Sequence, residues 1–554
     1  MLTLSILPEE IIVRILKIST PDSIRQCAQV CHLFRDIVTE SSCLQYLLEL
    51  DICGYTEPPR GRSELTYPQK LDILRTHRAR WNYPSKVVPV EYELNSDEHG
   101  VTYEYAGGTY VRGVPLAESD KLTRRLYFYQ LPSLNRGTEY KYWCIPDLGV
   151  DTRDFGICPE QDLLVLLEVN SMRCNLLTEG VCRIHLRTMT TNQAHPRAKP
   201  GRTILTYHHP RDEPPPDRSF YFEISGDLLA ILFRSRTRGL PSYVVIWDWT
   251  TGIELTRART VGGWNASFTL LSECAFVLPR FSRSFDTEEH VPNDTFGSLN
   301  VFRFDPYATA STEPQHIASF DLPPLVRKNG ESTVQIRCSP TVVPPGSRAY
   351  LNSSPKIYDL EPLDRLLCID IHRMPNQGAG FAESAGTLFV PSSVLLGSLS
   401  GRGRTLDQND CLTVPWATWA PKVSWADTRS FRTGNECYMS GQRSVAFQSA
   451  PIDQSSSIII LDFDSRRLKA RKMPNADPQG VVCAPGDGSL DRVKEFTGKA
   501  AFCSEKAPAS KKYVKMVLDT NLELDVDFWD TVMVDDEHSE IRQEGKFSLL
   551  VYNF

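Results

Sequence analysis

Pairs of cysteine and histidine residues are the first places in the sequence where metal chemistry would be expected. Cys27 and Cys31 lie four positions apart, so on one helix both thiols would face the same side and could ligate a metal. The same spacing suits two small side chains in a helical core, and we interpret the pair in that way. His208 and His209 precede the proline-rich stretch PRDEPPPD, which favours a surface loop over a pair of ligands. We predict no metal site from either pair.

Two acidic stretches near the C-terminus also have residue types that bind cations. Asp519, Asn521 and Glu523 match the ligands at positions one, three and five of an EF-hand calcium loop. Leu524 stands where that loop requires glycine, so the sequence argues against calcium binding. The second stretch, VDDEHSE at 534–540, is interpreted as a solvated turn before the last strand.

The sequence contains no signature of a familiar enzyme class. It has no GxSxG, HExxH or Walker loop, and no paired CxxC motifs at zinc spacing. We therefore predict a non-enzymatic protein with no catalytic residue, no metal and no other cofactor. An enzyme whose Asp, Glu and His residues converge only in the folded chain is the alternative.

Composition is typical of a globular protein. The 554 residues are 41% hydrophobic and 23% charged, with a net charge of −7. This balance, together with the lack of a basic helix, argues against a nucleic-acid partner. The N-terminus has no secretory-signal pattern and no apolar run reaches about eighteen residues, so no membrane association is expected. The fifteen cysteines are scattered, which indicates a reducing compartment, the cytoplasm or the nucleus.

The first element that could position a binding surface is an N-terminal helix, LPEEIIVRILKIST at 7–20. Pro8 suits the first turn, and the two glutamates after it favour the positive end of the helix dipole. At about 100° per residue, the apolar side chains cover an arc of roughly 220°, whereas a helix lying on one core needs only about 100°. We therefore expect this helix to be buried from two directions, either inside a large domain or against a partner.

Two more helices are predicted before residue 54. Thr20 and Pro21 are suited to begin one long helix, DSIRQCAQVCHLFRDIVTE, and Ser41-Ser42 can cap a third, SSCLQYLLELDI. A unit of about fifty residues buries too little surface to be stable alone. Its excess apolar surface is explained either by packing on the rest of this chain or by an interface with another protein, and the pattern leaves both open.

These helices resemble an F-box, in their order and in their position at the N-terminus. The resemblance includes Phe34 where the family more often has tryptophan, with Arg35 next. It implies docking onto a Skp-type adaptor, which links F-box proteins to a cullin–RING ubiquitin ligase. The residues that the resemblance implies for adaptor binding are Leu7, Pro8, Ile11, Ile15, Leu16, Val30, Cys31 and Phe34.

The remainder is predicted to be one linker helix and a large β domain. The stretch PQKLDILRTHRARW at 68–81 has helical periodicity, with Leu71, Leu74 and Trp81 on the buried side. Short β-rich runs then alternate with Gly, Pro and Asp turns to the end, and no helix is predicted among them. We divide this α+β multidomain chain into an F-box at 1–53, a helical linker at 54–85 and a β domain at 86–554.

The β domain repeats loosely, which favours a degenerate β-propeller over tandem β-sandwiches. Pairs of runs such as FEISGDLLAILF and SYVVIWDWTTGIEL recur about every 50 to 70 residues. Within IWDWTTG, Asp248 and Thr251 are placed to close a turn, as at the end of a WD-repeat strand. The terminal run KFSLLVYNF at 546–554 is expected to lie in a sheet and to close the ring beside an early strand.

The β-rich runs also resemble the body of a large group of F-box proteins in mushroom-forming fungi, through DFGICPEQDLLVLLEV, IHLRTMTTNQAHP, ISGDLLAILF and IWDWTTG. Together the two resemblances imply a substrate receptor of an SCF-type ubiquitin ligase. The F-box would bind the adaptor, and the β domain would bind a target protein that the sequence does not identify. The alternative is an interaction scaffold that binds the adaptor without directing ubiquitination.

Overall fold

The structure is a computed structural model, which shows N-terminal helices followed by the strands of a large β domain. The described residues are 7–58, 60–94, 102–117, 122–168, 181–210, 219–234, 241–261, 267–281, 297–323, 331–338, 354–361, 365–374, 383–400, 411–426, 431–432, 439–448, 457–464, 466–467, 494–496, 513–519, 531–543 and 548–554.

Four helices form the N-terminal unit, and a fifth joins it to the β domain. The single long helix predicted after Thr20 is wrong, because Cys31 has an extended backbone with φ −159° and ψ 168°. An extended residue cannot continue the helical hydrogen-bond ladder, so one helix ends before Cys31 and another begins after it. The helices are α1 (Glu9–Lys17), α2 (Pro21–Val30), α3 (His32–Glu40), α4 (Ser42–Cys53) and α5 (Tyr67–Asn82).

The predicted helix starts and the linker helix are confirmed. Thr20 caps α2 by accepting a hydrogen bond from the Ser23 amide at 3.2 Å, and the Ser41 hydroxyl accepts from the Leu44 amide at 3.5 Å. The expected helix at 68–81 is α5, which begins with a capping box at Thr66. Its inward side chains, Leu71, Leu74 and Trp81, are buried as predicted.

Beyond α5 the chain is mainly antiparallel strands, which confirms the predicted all-β region. Seven sheets of at least four strands can be counted in the described part of the chain, and we call them blades 1 to 7. Blade 1 contains β3 (Thr102–Ala106), β4 (Thr109–Val114), β5 (Arg125–Gln130) and β6 (Lys141–Ile145). Blade 2 contains β7 (Thr152–Cys158), β8 (Leu163–Glu168), β9 (Val181–Thr188) and β10 (Ile204–His208). Blade 3 contains β11 (Ser219–Ser225), β12 (Leu228–Arg234), β13 (Pro241–Asp248) and β14 (Ile253–Val261).

The later blades are less regular. Blade 4 contains β15 (Thr269–Ser272), β16 (Ala275–Phe281), β17 (Gly297–Arg303) and β18 (Gln315–Asp321), with β23 (Leu412–Val414) added parallel to β18. Blade 5 contains β19 (Glu331–Cys338), β21 (Leu366–Met374), β22 (Glu383–Pro391) and β24 (Ser424–Ala426). Blade 6 contains β25 (Phe431–Arg432), β26 (Met439–Ser440), β27 (Arg443–Gln448), β28 (Ser457–Asp462), β29 (Lys494–Phe496) and β30 (Tyr513–Asp519). Blade 7 contains β31 (Thr531–Val534), β32 (His538–Gln543), β33 (Ser548–Asn553) and, from the start of the domain, β2 (Val90–Glu93).

The blades are arranged as a β-propeller. The first strands of blades 1 to 5 contact one another in succession, so these strands lie innermost. Apolar clusters fill the spaces between successive blades; between blades 2 and 3, for example, Val165 and Leu186 pack with Ile231 and Val245. The propeller, and not a pair of β-sandwiches, is therefore the architecture of the β domain.

The β domain also contains helices, which corrects the expectation that strands run without interruption. Between β22 and β24 the chain forms α6 (Ser392–Ser400) and the single turn α7 (Trp416–Trp419). Trp416 and Trp419 are buried, and Trp419 meets Phe320 of β18 edge-on. Short 3-10 helices lie at Pro84–Lys86, Pro159–Gln161 and Ala420–Lys422, and β1 (Tyr55–Thr56) pairs with β20 (Asp359–Leu360).

The ring is closed by strands from opposite ends of the domain, as predicted for the terminal run. Strand β33 pairs antiparallel with β2, and Val90 lies opposite Val551. Leu549 and Val551 are fully buried and pack in a cluster with Tyr105 and Tyr110 of blade 1. The backbone hydrogen bonds between β33 and β2 thus complete blade 7, and apolar contacts join blade 7 to blade 1.

The turn predicted in IWDWTTG is confirmed in detail. The Asp248 side chain accepts hydrogen bonds from the amides of Thr250 and Thr251, at 2.9 and 3.2 Å. The Gly252 amide donates to the Asp248 carbonyl at 2.8 Å, and Gly252 has φ 72°, where glycine is favoured. Asp248 therefore ends β13 and directs the chain into β14.

The substitution Leu549→Ala tests whether the closing strand is needed for stability. Because Leu549 is fully buried between blades 7 and 1, its truncation should lower the free energy of unfolding by about 2–5 kcal/mol. Val88→Ala, at a side chain that is 81% exposed just before β2, should change it by less than about 0.5 kcal/mol. Urea unfolding followed by circular dichroism compares the two, and equal stabilities would contradict the closure.

Candidate binding site

The N-terminal helices share a small apolar core of their own. Helix α1 contributes Ile12 and Leu16, which are 2% and 5% exposed, and α2 contributes the fully buried Ile24. The remaining buried members, from α3 and α4, are Ile37, Val38 and Leu44. This core accounts for one side of the wide apolar arc of α1.

The other side of that arc faces outward. Ile11, Ile15 and Ile18 lie within about 60° of one another on the helical wheel, while Ile12 and Leu16 are displaced from Ile11 by about 100° and 140°. Ile11 and Ile15 are each 38% exposed, and Ile18 is 87% exposed. The arc of α1 is therefore divided between an internal core and an uncovered stripe.

A second exposed apolar region lies where α2 meets α3. Val30 is 70% exposed and Leu33 is 45% exposed, and the thiol of Cys31 between them is also exposed. Phe34 is half-buried and packs on the core of the helices. The extended backbone at Cys31 produces this corner, because α2 ends at Val30 and α3 begins at His32.

The eight residues predicted to bind a partner are thus divided by the structure. Pro8, Ile11, Ile15, Val30 and Cys31 are exposed, Leu7 and Phe34 are half-buried, and Leu16 belongs to the internal core. Two exposed residues, Ile18 and Leu33, were not in the predicted set, although both belong to the apolar periodicity of their helices. Of the thirteen large hydrophobic side chains that are exposed in the described residues, five lie between Ile11 and Leu33.

Helices α4 and α5 attach this unit to the propeller. Tyr46 and Leu50 of α4 and Leu74 of α5 share a buried cluster with Ile357 and Tyr358, which precede β20. The Tyr46 hydroxyl donates to the Ile357 carbonyl across this contact. The last helix of the N-terminal unit therefore shares its core with the propeller and cannot be removed without exposing that core.

His77 of α5 connects three parts of the chain. Its Nε2 lies 2.8 Å from the Tyr55 hydroxyl and its Nδ1 lies 3.2 Å from the Phe554 carbonyl oxygen. Phe554 also stacks on Trp81 of α5, with 3.9 Å between ring centroids. Burial, reinforced by the charge of Arg443, lowers the pKa of His77 from 6.5 to about 3, so the imidazole is neutral at physiological pH.

Two arginines of blade 6 complete the attachment. Arg467 bonds to the Asp462 carboxylate at 2.8 Å and donates to the Cys53 carbonyl at 2.7 Å, at the end of α4. Arg443 lies over the ring of Trp81 at 4.2 Å and donates to the Tyr55 hydroxyl at 3.3 Å. The cavity between these groups has a volume of about 10 Å³, room for one water molecule, so the contact is closely packed.

The acidic stretch at 534–540 is part of the same region, which corrects its interpretation as a solvated turn. Asp535 and Glu537 are buried, and Arg136 from the β5–β6 connection reaches Asp536 at 2.5 Å. Burial alone would raise the pKa of Asp535, but His538 and Arg136 outweigh it and lower that pKa. Burial raises the pKa of Glu537. The turn is an ion-pair network that fixes blade 7 to blade 1.

The other polar residues singled out in the sequence lie on separate elements where the structure describes them. Among the residues that the structure describes, no group of three or more His, Cys, Asp or Glu side chains could hold a metal. His208 is exposed at the end of β10, whereas His209 is buried with its Nδ1 3.1 Å from the Tyr207 hydroxyl, so the pair is only partly a surface feature. Asn521 and Glu523 of the calcium-like stretch lie outside the described residues.

None of the described helices is both long and apolar enough to cross a membrane.

The substitution Gly54→Ala tests the fit of the helical unit on blade 6. Gly54 ends α4 with φ 74°, and a Cβ atom there would collide with the Asp464 carboxylate and approach the Arg466 guanidinium. Gly149 has φ 75° but no atom within 4 Å of its Cβ position, so Gly149→Ala is a control for backbone strain alone. Gly54→Ala should lose about 1–3 kcal/mol more stability than Gly149→Ala in urea unfolding. Equal losses would show that α4 does not fit tightly there.

The buried His77 should make stability depend on pH. Because its folded pKa is about 3 and its unfolded pKa about 6.5, only the unfolded chain binds this proton as the pH falls through that window. Between pH 6.5 and 5, His77 should therefore reduce stability by up to about 1.4 kcal/mol per pH unit. His77→Gln should remove this part of the slope, and His208→Gln, at an exposed histidine, should not. Identical slopes in urea unfolding for all three proteins would contradict the burial of a neutral His77.

Comparison with known proteins agrees with the helical unit. Residues 4–44 match the model of the F-box-like family, which corresponds to α1, α2, α3 and the start of α4. No curated protein matches the chain.

Two solved structures show a distant similarity. One is the β-propeller domain of the Trilobed protease from Pyrococcus furiosus, with a TM-score of 0.27 and 8% identity over 65% of this chain and 93% of that chain. The other is the uncharacterized protein lmo1340 from Listeria monocytogenes EGD-e, with a TM-score of 0.27 and 10% identity over 69% of this chain and 84% of that chain. The propeller is assigned from the sheet topology of this chain and not from these two similarities. The chain is therefore a protein with an F-box-like domain at residues 4–44 and a β-propeller behind it.

Proposed function

We propose that this protein is the substrate receptor of an SCF-type cullin–RING ubiquitin ligase. F-box domains generally bind Skp-type adaptors, and the observation that carries the proposal is the uncovered apolar stripe of α1 with the exposed corner at Val30 and Leu33. Exposed apolar surface of this kind marks a protein interface. The adaptor would cover it and would link the chain to a cullin.

The predicted contact residues differ in burial, and we propose different roles for them in adaptor binding. We propose direct adaptor contacts for Pro8, Ile11, Ile15, Val30 and Cys31, extended by Ile18 and Leu33, because these side chains are exposed. Leu7 and Phe34 would contribute their exposed edges. Leu16 would act indirectly, since its side chain holds α1 on the internal core.

The propeller would present the target at the end away from the helices. Contacts with the helical unit come from the start of β27, the stretch after β28 and the β31–β32 turn, which all lie at one end of the strands. The strands' opposite ends carry exposed groups such as Leu116 and the Arg124–Asp147 ion pair. A rigid propeller between the two ends would hold a target at a fixed position relative to the adaptor.

In this proposal the protein contributes proximity and no chemistry of its own. F-box family members are generally non-catalytic, and a receptor raises the effective concentration of a target near the ubiquitin-charged enzyme. The complex would act in the cytoplasm or the nucleus. The resemblance of the β domain to F-box proteins of mushroom-forming fungi stays a prediction.

The substitution Ile15→Asp tests the adaptor contact. A charge on the exposed stripe should weaken co-purification with a Skp-type adaptor at least about 30-fold, because the carboxylate would be desolvated at the centre of an apolar contact, yet the helices should stay folded. Leu16→Asp should unfold the helices as well, since Leu16 is buried. Ile204→Asp, at a side chain 46% exposed on β10, is the matched control and should bind normally.

Binding and circular dichroism on the same samples separate the outcomes. Unchanged adaptor binding by a folded Ile15→Asp protein would refute the proposed surface. Unfolding by Ile15→Asp would place that residue in the core instead.

Comparing ubiquitination with binding distinguishes a receptor from a scaffold. Proteins that co-purify with both the wild type and Ile15→Asp are candidate targets, because the substitution leaves the propeller unchanged. If the protein is a receptor, the wild type should raise the ubiquitination of those proteins and Ile15→Asp should not. The increase should also require an active cullin. Ubiquitination that is identical with both forms would support the scaffold alternative.

A further inference from the structure

A histidine is buried in the turn that fixes blade 7 to blade 1, and both of its ring nitrogens have a partner. His538 is the first residue of β32 and is only 1% exposed. Its Nδ1 lies 3.0 and 3.2 Å from the two carboxylate oxygens of Asp535. Its Nε2 lies 2.9 Å from the carbonyl oxygen of Pro132, in the connection between β5 and β6. The ring therefore bridges the two blades.

The carboxyl group of Asp535 is held in its ionised form. Its Oδ1 accepts from the backbone amides of Glu537 and His538, at 2.8 and 2.7 Å. Its Oδ2 lies 3.7 Å from a guanidinium nitrogen of Arg136. Hydrogen-bond donors and a nearby positive charge both favour the carboxylate over the neutral acid.

Neither partner of His538 can donate a hydrogen to the ring, since a carboxylate and a carbonyl oxygen are acceptors only. A neutral imidazole has a single N–H group, so its other nitrogen would point a lone pair at an acceptor oxygen. An imidazolium, with a proton on each nitrogen, donates to Asp535 and to Pro132 at once. The geometry of both contacts is therefore that of a doubly protonated ring.

The charges around His538 also favour a cation. The charged groups of its own turn and of the β5–β6 connection are Asp535, Asp536, Glu537 and Arg136. The ion pair of Lys356 with Glu160 acts on Arg136 from further away and adds no net charge. Gly108 of the β3–β4 turn and Asn553 of β33 are the uncharged neighbours. Three carboxyl groups thus lie around one guanidinium, which stabilises a second positive charge on the ring.

The same turn also holds the linker helix. The indole nitrogen of Trp81 in α5 donates to the Asp536 carbonyl at 3.3 Å. The amide of Phe554, which stacks on Trp81, donates to the Glu537 carbonyl at 2.7 Å. A contact that fixes this turn to blade 1 therefore also supports the attachment of the helical unit.

We propose that His538 is a buried imidazolium that clamps blade 7 to blade 1, and that loss of its second proton to solvent above neutral pH loosens the ring. Whichever nitrogen loses its proton, the contact to Asp535 or the contact to Pro132 then becomes a repulsion between lone pairs. The closure of the propeller would thus respond to pH.

The direction of the pH effect follows from linkage. A histidine of the unfolded chain loses its proton near pH 6.5, whereas folded His538 would keep it to a higher pH. The stability that this proton contributes is fully present below about pH 6.5 and is lost as the pH rises through the range in which folded His538 titrates. His77 acts in the opposite sense, because it destabilises the protein as the pH falls.

The experiment unfolds the full-length protein in urea between about pH 6.5 and pH 8, beside the variant His538→Gln. Over this range the unfolding equilibrium constant of the wild type should rise about tenfold more than that of the variant, as for a proton that only the folded chain retains. The range ends at about pH 8 because buried thiols such as Cys53, whose ordinary pKa is 9.0, ionise in the unfolded chain mainly above it. His208→Gln, at an exposed histidine, is the control and should behave as the wild type.

Asp535→Asn tests the cause of the double protonation. The asparagine oxygen can still accept from both backbone amides, and its NH2 group, in place of Oδ2, can donate to Nδ1 of His538. A neutral imidazole then satisfies both of its contacts. This variant should therefore fold and should show the weak pH dependence of His538→Gln.

Histidine-selective carbon-13 NMR of the wild type gives an answer even if a variant fails to fold. At about pH 8 one signal should keep the chemical shift of an imidazolium, and that signal should move to the neutral position in Asp535→Asn. The absence of any imidazolium signal at that pH would overturn the proposal, as would an imidazolium signal that survives in Asp535→Asn. So would a rise in the unfolding constant that exceeds that of His538→Gln by less than about threefold. The adaptor takes no part in these readouts, so their outcome is independent of the proposed ligase function.

Discussion

The packing of α4 and α5 on one end of the propeller is the contact on which the rest of the molecule depends. Strand β33 closes the ring against β2, and the residue that follows it, Phe554, stacks on Trp81 and accepts from His77. The strand that completes the propeller therefore also supports the linker helix. A weakening of the closure would loosen the helical unit too, because Phe554, which contacts α5, directly follows β33.

This contact explains why the apolar stripe of α1 remains uncovered. The apolar surface of α4 is used on two sides, with Leu44 in the core of the helices and Tyr46 and Leu50 against Ile357. Helix α1 buries Ile12 and Leu16 in the internal core and leaves Ile11, Ile15 and Ile18 outside. The helical unit is thus stabilised by the propeller through α4, and it does not need the outer stripe of α1 for its own stability.

Features with a local cause were predictable from the sequence. The wide arc of α1 predicted burial from two directions; the structure buries one side in the internal core, and a partner on the exposed side stays a prediction. Thr20 and Asp248 were recognised because capping and turn formation involve neighbouring residues. The terminal strand was recognisable from its run of apolar side chains.

Features that depend on distant partners were not predictable. The stretch at 534–540 has the sequence of a solvated turn. It is buried because Arg136, which is 400 residues from Asp536 along the chain, forms an ion pair with it. The break at Cys31 has no proline or glycine to signal it. The helix Ser392–Ser400 has a short apolar run whose period fits a strand equally well.

Hydrogen–deuterium exchange of the full-length protein, with and without a Skp-type adaptor, tests the central claim most directly. The account predicts new protection in α1 and around Cys31, with exchange in α5 and β33 unchanged, because those elements are already buried against each other. Protection confined to the propeller, or exchange that does not respond to the adaptor at all, would contradict it.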